Sequence, residues 1–114
     1  MTRFDFARVI SKEQALRALP GEKGERFREL FRHGSLQLEI YAPVGADPQT
    51  PHTRDEAYVV IQGTAAFVIE GNRLPHVEPG DFLFAPAGVA HRFEDFSEDF
   101  AVWVLFYGPE GGER

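Results

Sequence analysis

The chain reads as an all-β domain, a sandwich or barrel of short strands preceded by one short helix. Three observations predict it. Apolar or alternating runs of roughly four to eight residues recur from Ser35 to Tyr107, the length range of half-buried and fully buried strands. Gly or Pro punctuates the gaps between them, at Pro43, Gly63, Gly71, Pro79-Gly80, Pro86 and Gly88. A single stretch carries both the start and stop signals of a helix, and it lies before the first clear strand. With 114 residues, 43% hydrophobic and 13% aromatic, including 11 phenylalanines, the chain has the apolar content for one domain with its own core.

The helix begins at Ser11-Lys-Glu-Gln14, which has the form of a capping box with Ser11 as N-cap. Ala15, Leu16, Ala18 and Leu19 follow until Pro20-Gly21 stops the run. Phe27, Leu30 and Phe31 have helical spacing, but Gly34 cuts their segment short, so helix and strand both remain open there. From Ser35 the alternation is clear, with Leu36, Leu38, Ile40 and Ala42 on one face and Gln37, Glu39 and Tyr41 on the other. These polar positions form either a solvent face or a polar pocket wall. After a proline-interrupted loop, Ala57 to Gln62 is almost continuously apolar, as expected of a strand covered on both sides. Thr64 to Glu70 and Arg73 to Val77 form a hairpin about Gly71-Asn72. Pro79-Gly80-Asp81 suits a type II turn, releasing a short strand, Phe82 to Ala85. Val89 to Glu94 carries His91 and Phe93 on one face, and Phe100 to Tyr107 is a strand apolar on both faces. GPEGGER reads as a frayed tail.

Composition narrows the function classes. The absence of cysteine excludes disulfides and thiolate metal sites. No apolar run has signal-peptide or membrane-span length, so a cytoplasmic protein with no membrane partner is expected. The formal net charge of −6 is uneven: residues 1–34 hold eight Lys/Arg against five Asp/Glu, whereas residues 35–114 hold four against thirteen. So acidic a body argues against nucleic acid as a partner.

Chemistry concentrates in two stretches. In TPHTRDEAYVVIQG, His52 and Glu56 are an even number apart, so on an extended segment both aim at one point. An imidazole and a carboxylate converging on one point are half a metal site. In GDFLFAPAGVAHRFED, Gly80, Pro86, Gly88 and His91 recur at a spacing that resembles the second conserved motif of the cupin family. Asp95 stands where that motif has Asn. His52, Glu56 and Gly63 resemble the first motif, whose opening histidine is replaced by Thr50 and whose opening glycine is not matched in spacing by Gly45. The two motifs and the strands between them cover roughly half of the chain.

The resemblance implies a small double-stranded β-helix, or jelly-roll barrel, over residues 35–108. Residues 1–34 would be a helix and extension packed on it, residues 109–114 a tail, and the segment around Phe27 a strand. It also implies that His52, Glu56 and His91 ligate one divalent transition metal, Fe, Mn, Ni or Zn. Gln49 and Thr50 are candidates for a fourth ligand or for the pocket, and Tyr58 and Phe93 for its lining. The bland alternative is a barrel without metal in which His52 and His91 are hydrogen-bonded pocket residues. Two functions follow: a metal-dependent enzyme acting on a small metabolite by dioxygenase, isomerase or decarboxylase chemistry, or a non-enzymatic small-ligand-binding or sensor module. Arg54 and Asp55 point away from the site by parity and read as a solvated pair. The doubly apolar terminal strand predicts a homodimer.

Overall fold

The computed structural model of the protein describes residues 9–114, so residues 1–8 of the expected N-terminal extension lie outside the described residues. Helix α1 spans Lys12–Arg17, and its capping box forms: the Ser11 hydroxyl accepts from the Gln14 amide at 3.1 Å, and the Ser11 amide donates to the Gln14 side chain at 2.9 Å. Ala15 is fully buried, and with Leu16 and Leu19 it packs the helix on Ile40, Ala42 and Ala101. No helix among the described residues is long and apolar enough to cross a membrane.

Among the described residues eight strands follow: β1 Phe27–His33, β2 Leu36–Tyr41, β3 Asp55–Gln62, β4 Ala65–Ile69, β5 Asn72–Val77, β6 Phe82–Ala85, β7 His91–Glu94 and β8 Ala101–Tyr107. They form two antiparallel sheets, a five-stranded one ordered β1-β2-β8-β3-β6 and a three-stranded one ordered β5-β4-β7. The expected jelly roll is therefore present. Between the sheets lies the main core, with Tyr58, Val60, Phe67, Phe93, Phe100 and Val102 essentially inaccessible to solvent. Pro75, which cannot donate a ladder hydrogen bond, sits on the edge strand β5.

The segment around Phe27 is a strand, and a β-bulge explains its misleading spacing. The β1–β2 register shifts between Glu29 and Phe31, leaving Leu30 as an extra residue that packs under α1. Its parity flips there, so Phe27 and Arg32, an odd number apart, both line the cavity described below. The β4–β5 hairpin turns on Glu70 and Gly71, with φ of 49° and 79°, one residue earlier than expected, and its paired left-handed residues match the twist of the flanking strands.

Two further positions need positive φ. Gly63 (φ 75°) passes so close to the β7–β8 connection that a Cβ there would lie 2.6 Å from the Phe100 Cα. Asp95 adopts φ 50°, a region in which Asp and Asn are the most tolerated side chains after glycine, and its carboxylate is ion-paired with Arg73.

Three expectations are corrected by packing. Asp55 is not half of a solvated pair: it is buried and accepts from the Ala87 amide at 3.0 Å and the Glu113 amide at 2.8 Å. Those two hydrogen bonds hold its carboxyl below the usual range, Glu113 contributing more. Residues 109–114 are correspondingly tied down rather than frayed, with Gly112 buried and the Gly111 amide donating to the Thr53 carbonyl at 2.7 Å. Finally, β8 is apolar on both faces because α1 covers its outer face at Ala101 and Trp103. The apolar surface left over on that face lies on edge strand β6, where Phe82 and Phe84 are 66% and 41% exposed.

Candidate metal centre

Glu56 and Tyr58 project from β3 into the space between the sheets, and His91 enters from the first position of β7 in the opposite sheet. His52 lies in the loop before β3 rather than on an extension of the strand, so a bend, not strand parity, turns it inward. The two sequence stretches are physically tied: the Gly88 amide donates to the His52 carbonyl at 2.7 Å, parallel to the Ala87–Asp55 bond.

One ligand atom from each of His52, Glu56 and His91 lies within 4.8 Å of the other two. Glu56 Oε1 is 2.9 Å from His91 Nε2 and 3.6 Å from His52 Nε2. Two donor atoms, each about 2.1 Å from a shared ion, sit roughly 3 to 3.5 Å apart at octahedral or tetrahedral angles. The observed spacings bracket that range. His52 is held edge-on against Phe106, with ring centroids 5.0 Å apart.

Hydrogen bonding at this centre is out of balance. His91 Nδ1 lies 2.9 Å from the Val89 carbonyl, which can only accept, so Nδ1 carries the proton and a neutral His91 presents a bare Nε2 to Glu56. The Tyr58 hydroxyl, 3.0 Å from that nitrogen, donates to Gln49 Oε1 at 3.0 Å. Glu56 Oε1 is buried and meets no donor in hydrogen-bond geometry, despite its short distance to His91. With His91 neutral, several buried acceptors converge on one point with too few protons to satisfy them, a situation that a cation, or a proton on His91 Nε2, resolves. Burial by itself would lower the His91 pKa, but the Glu56 carboxylate and the Val89 carbonyl outweigh it, so the net direction is upward. Burial, then the Glu56 charge, pushes the Tyr58 phenol up and keeps it a neutral donor. These residues fit a divalent ion.

Of the two candidates for a fourth ligand, Gln49 is the one whose oxygen reaches the centre, 3.3 Å from His52 Nε2. Thr50 is exposed and lines the cavity beside it. Phe93 is core, its ring packed on those of Phe100 and Tyr58. Sequence reasoning missed the residue that positions Gln49. Buried Asp47 accepts from the Gln49 amide at 2.8 Å, from the Phe93 backbone amide at 2.8 Å, and from the Tyr41 hydroxyl. The Phe93 bond satisfies an edge strand, β7, that has no neighbour strand on that side among the described residues. Nothing in the sequence around an aspartate in a proline-rich loop marks such a role.

The centre opens into a cavity of about 840 Å³ bordered by Gln37, Glu39 and Tyr41, which settles these positions of β2 as a pocket wall. Glu39 is half-buried, and Gln37 donates to it at 2.7 Å. Burial raises its pKa against the lowering effect of Gln37, and the negative charges of Glu56 and Glu29 add to the rise.

Comparison with known proteins agrees with this architecture. Residues 37–107, more than half of the chain, match the family model described as a cupin domain. The chain is 38% identical over 86 residues to an uncharacterized protein of Streptomyces coelicolor, covering 74% of this chain and 81% of that one. It is 33% identical over 70 residues to a dimethylsulfoniopropionate lyase of Ruegeria pomeroyi, covering 60% of this chain but only 35% of the lyase. Among solved structures, a cupin-2 domain protein of Shewanella frigidimarina superposes with a TM-score of 0.68 at 17% identity, covering 88% of this chain and 95% of that one. A putative mannose-6-phosphate isomerase of Ralstonia eutropha gives a TM-score of 0.57 at 26% identity, covering 73% and 83%.

Proposed function

The chain belongs to the cupin family, and from that premise we propose that it holds one divalent transition metal through His52, Glu56 and His91 and acts on a small metabolite. The observation that carries the reading is the buried Glu56 Oε1, which lies 2.9 Å from His91 Nε2 and meets no donor in hydrogen-bond geometry among the described residues. Two imidazoles and one carboxylate suit Fe, Mn, Ni or Zn, and leave coordination positions open. When bound, the ion supplies Lewis-acid chemistry at those positions.

The remaining work falls to the chain's own residues. The Val89 carbonyl holds His91 in the tautomer that offers Nε2, and Phe106 packs against His52 and limits water on that side. Gln49 Oε1, oriented by Asp47 and Tyr58, supplies the fourth donor that the sequence lacks at Thr50. Glu39 provides the proton-transfer group absent from the ligand set, held partly out of water with its pKa raised. A carboxyl so placed favours an enzyme over a sensor module. It also favours isomerase, lyase or decarboxylase chemistry, which moves protons, over dioxygenase chemistry. The enzymatic descriptions of the Ruegeria lyase and the Ralstonia putative isomerase support the same choice.

Elemental analysis tests the reading. Protein purified without added metal, then offered Fe, Mn, Ni and Zn in turn, should carry close to one equivalent per chain of at least one of them. A chain that neither carries nor takes up any of the four removes the proposal at its base. Replacing Gln49 with alanine should weaken metal binding by about tenfold, about 1.4 kcal/mol, in competition against a chelator. Unchanged affinity would show that Gln49 is not a ligand. We also propose a homodimer paired through the outer face of the five-stranded sheet, where Phe82 and Phe84 lie on an uncovered edge. Light scattering at micromolar concentration should give twice the chain mass, and Phe82→Glu should halve it.

A further inference from the structure

We propose that Arg26 is the anion-binding group of the cavity and that the molecule bound there carries a single carboxylate. The inference rests on the reading above and names the class of ligand it takes.

Among the described residues, three arginines line the cavity. Arg32 is ion-paired with Glu29 at 2.6 Å, its Nε also donating to that carboxylate at 2.9 Å. Arg54 is spent on backbone, its Nε donating to the Gly108 carbonyl at 3.2 Å and its Nη2 to the Ser35 carbonyl. Arg26 differs from both. Its Nε donates to the Ala42 carbonyl at 2.9 Å, which fixes the side chain partly buried against the cavity wall. Neither of its terminal nitrogens meets an acceptor, and no carboxylate pairs with it, among the described residues. Glu39, in the same cavity, has Glu56, Glu29 and Arg32 as its charged neighbours.

A guanidinium anchored at Nε with both terminal nitrogens open presents the planar fork that a carboxylate matches in two parallel hydrogen bonds. The charge count selects a monoanion. Glu39, Glu56 and Glu110 also line the cavity and already outnumber Arg26 and Arg54, the two lining arginines with no carboxylate partner among the described residues, so a phosphate dianion would add a further negative charge where a monoanion adds one. The ligand would then lie with its carboxylate on Arg26 and its reacting end towards the centre at Glu56.

The test uses ¹⁵N-labelled full-length protein, metal-free and zinc-loaded, titrated with 4-hydroxybutyrate, the matching amide 4-hydroxybutyramide, and inorganic phosphate. The Arg26 Nε–H and Ala42 amide signals are followed by NMR. The acid should saturate these shifts with about tenfold higher affinity than the amide, the size of one charge-assisted pairing. Arg26→Gln should remove that difference, Arg26→Lys should keep part of it, and chelator competition should give both variants the wild-type zinc affinity. Absence of saturable binding by the acid, equal binding of acid and amide, discrimination surviving Arg26→Gln, or tighter binding of phosphate would each overturn the proposal. A chain that takes up no metal would overturn the metal reading alone, since the acid–amide comparison is still made on Arg26 in metal-free protein.

Discussion

Replacing Glu56 with glutamine should abolish stoichiometric metal and, in the same molecule, raise the melting temperature of the metal-free chain. The first effect follows from removing the only carboxylate among the three candidate ligands. A loss of at least about a hundredfold in affinity, about 2.7 kcal/mol, is expected in chelator competition. The second effect follows from the hydrogen-bond imbalance. Glu56 is 1% exposed, and its Oε1 has no donor, so in metal-free protein with His91 neutral it is a buried charge without compensation. An amide of the same shape can donate to a neutral His91 Nε2, a gain of about 1 to 2 kcal/mol. The comparison belongs in alkaline buffer containing chelator, where His91 carries no proton. Full metal occupancy in the variant would exclude Glu56 as a ligand. A lower melting temperature would instead identify Glu56 as the structural ion-pair partner of His91. The histidine variants should grade with burial: His91→Ala leaves a hole at a side chain 1% exposed, whereas water can partly replace His52, whose side chain is 35% exposed.

Asp47→Ala should be among the most destabilising single substitutions in the chain. It strips the acceptor from the Phe93 amide, the Gln49 side chain and the Tyr41 hydroxyl together. Buried donors left without acceptors cost about 1 to 3 kcal/mol each, and partial rearrangement keeps the total at about 3 to 5 kcal/mol. For a domain of this size that corresponds to a fall of roughly 10 to 20 °C in melting temperature. Asp47→Asn, which keeps one carbonyl acceptor, should lose less than half as much. A near-neutral Asp47→Ala would mean that the loop from Pro43 to Arg54 is not anchored to β7 through this carboxylate. Because Gln49 hangs on the same residue, metal affinity should fall with stability in both variants.

Much of the fold was legible before any coordinates. The capping box at Ser11, the alternation through β2 and the glycine and proline stops reported the element order, because capping, pleat and turn chemistry act within a few residues. His52, Glu56 and His91 were legible as a group only because two spacings recur together. The same local rules failed at β1, where a single extra residue in the bulge gave a strand the spacing of a helix. They failed again at the β4–β5 turn, where Gly71-Asn72 signalled the hairpin one residue late.

The sequence by itself determined the apolar pattern that makes two sheets, the breaks between strands, and the residue types able to ligate a metal. Tertiary structure alone decided which polar groups those sheets enclose. Asp47 meets Phe93 across 46 residues of sequence, and Asp55 meets Glu113 across 58. The bulge turns Arg32 into the cavity, and the extended five-stranded sheet makes Glu39 a wall rather than a surface. A side chain's propensity is a property of its own few neighbours along the chain, whereas its charge state, hydrogen-bond partners and access to water depend on what the fold places against it.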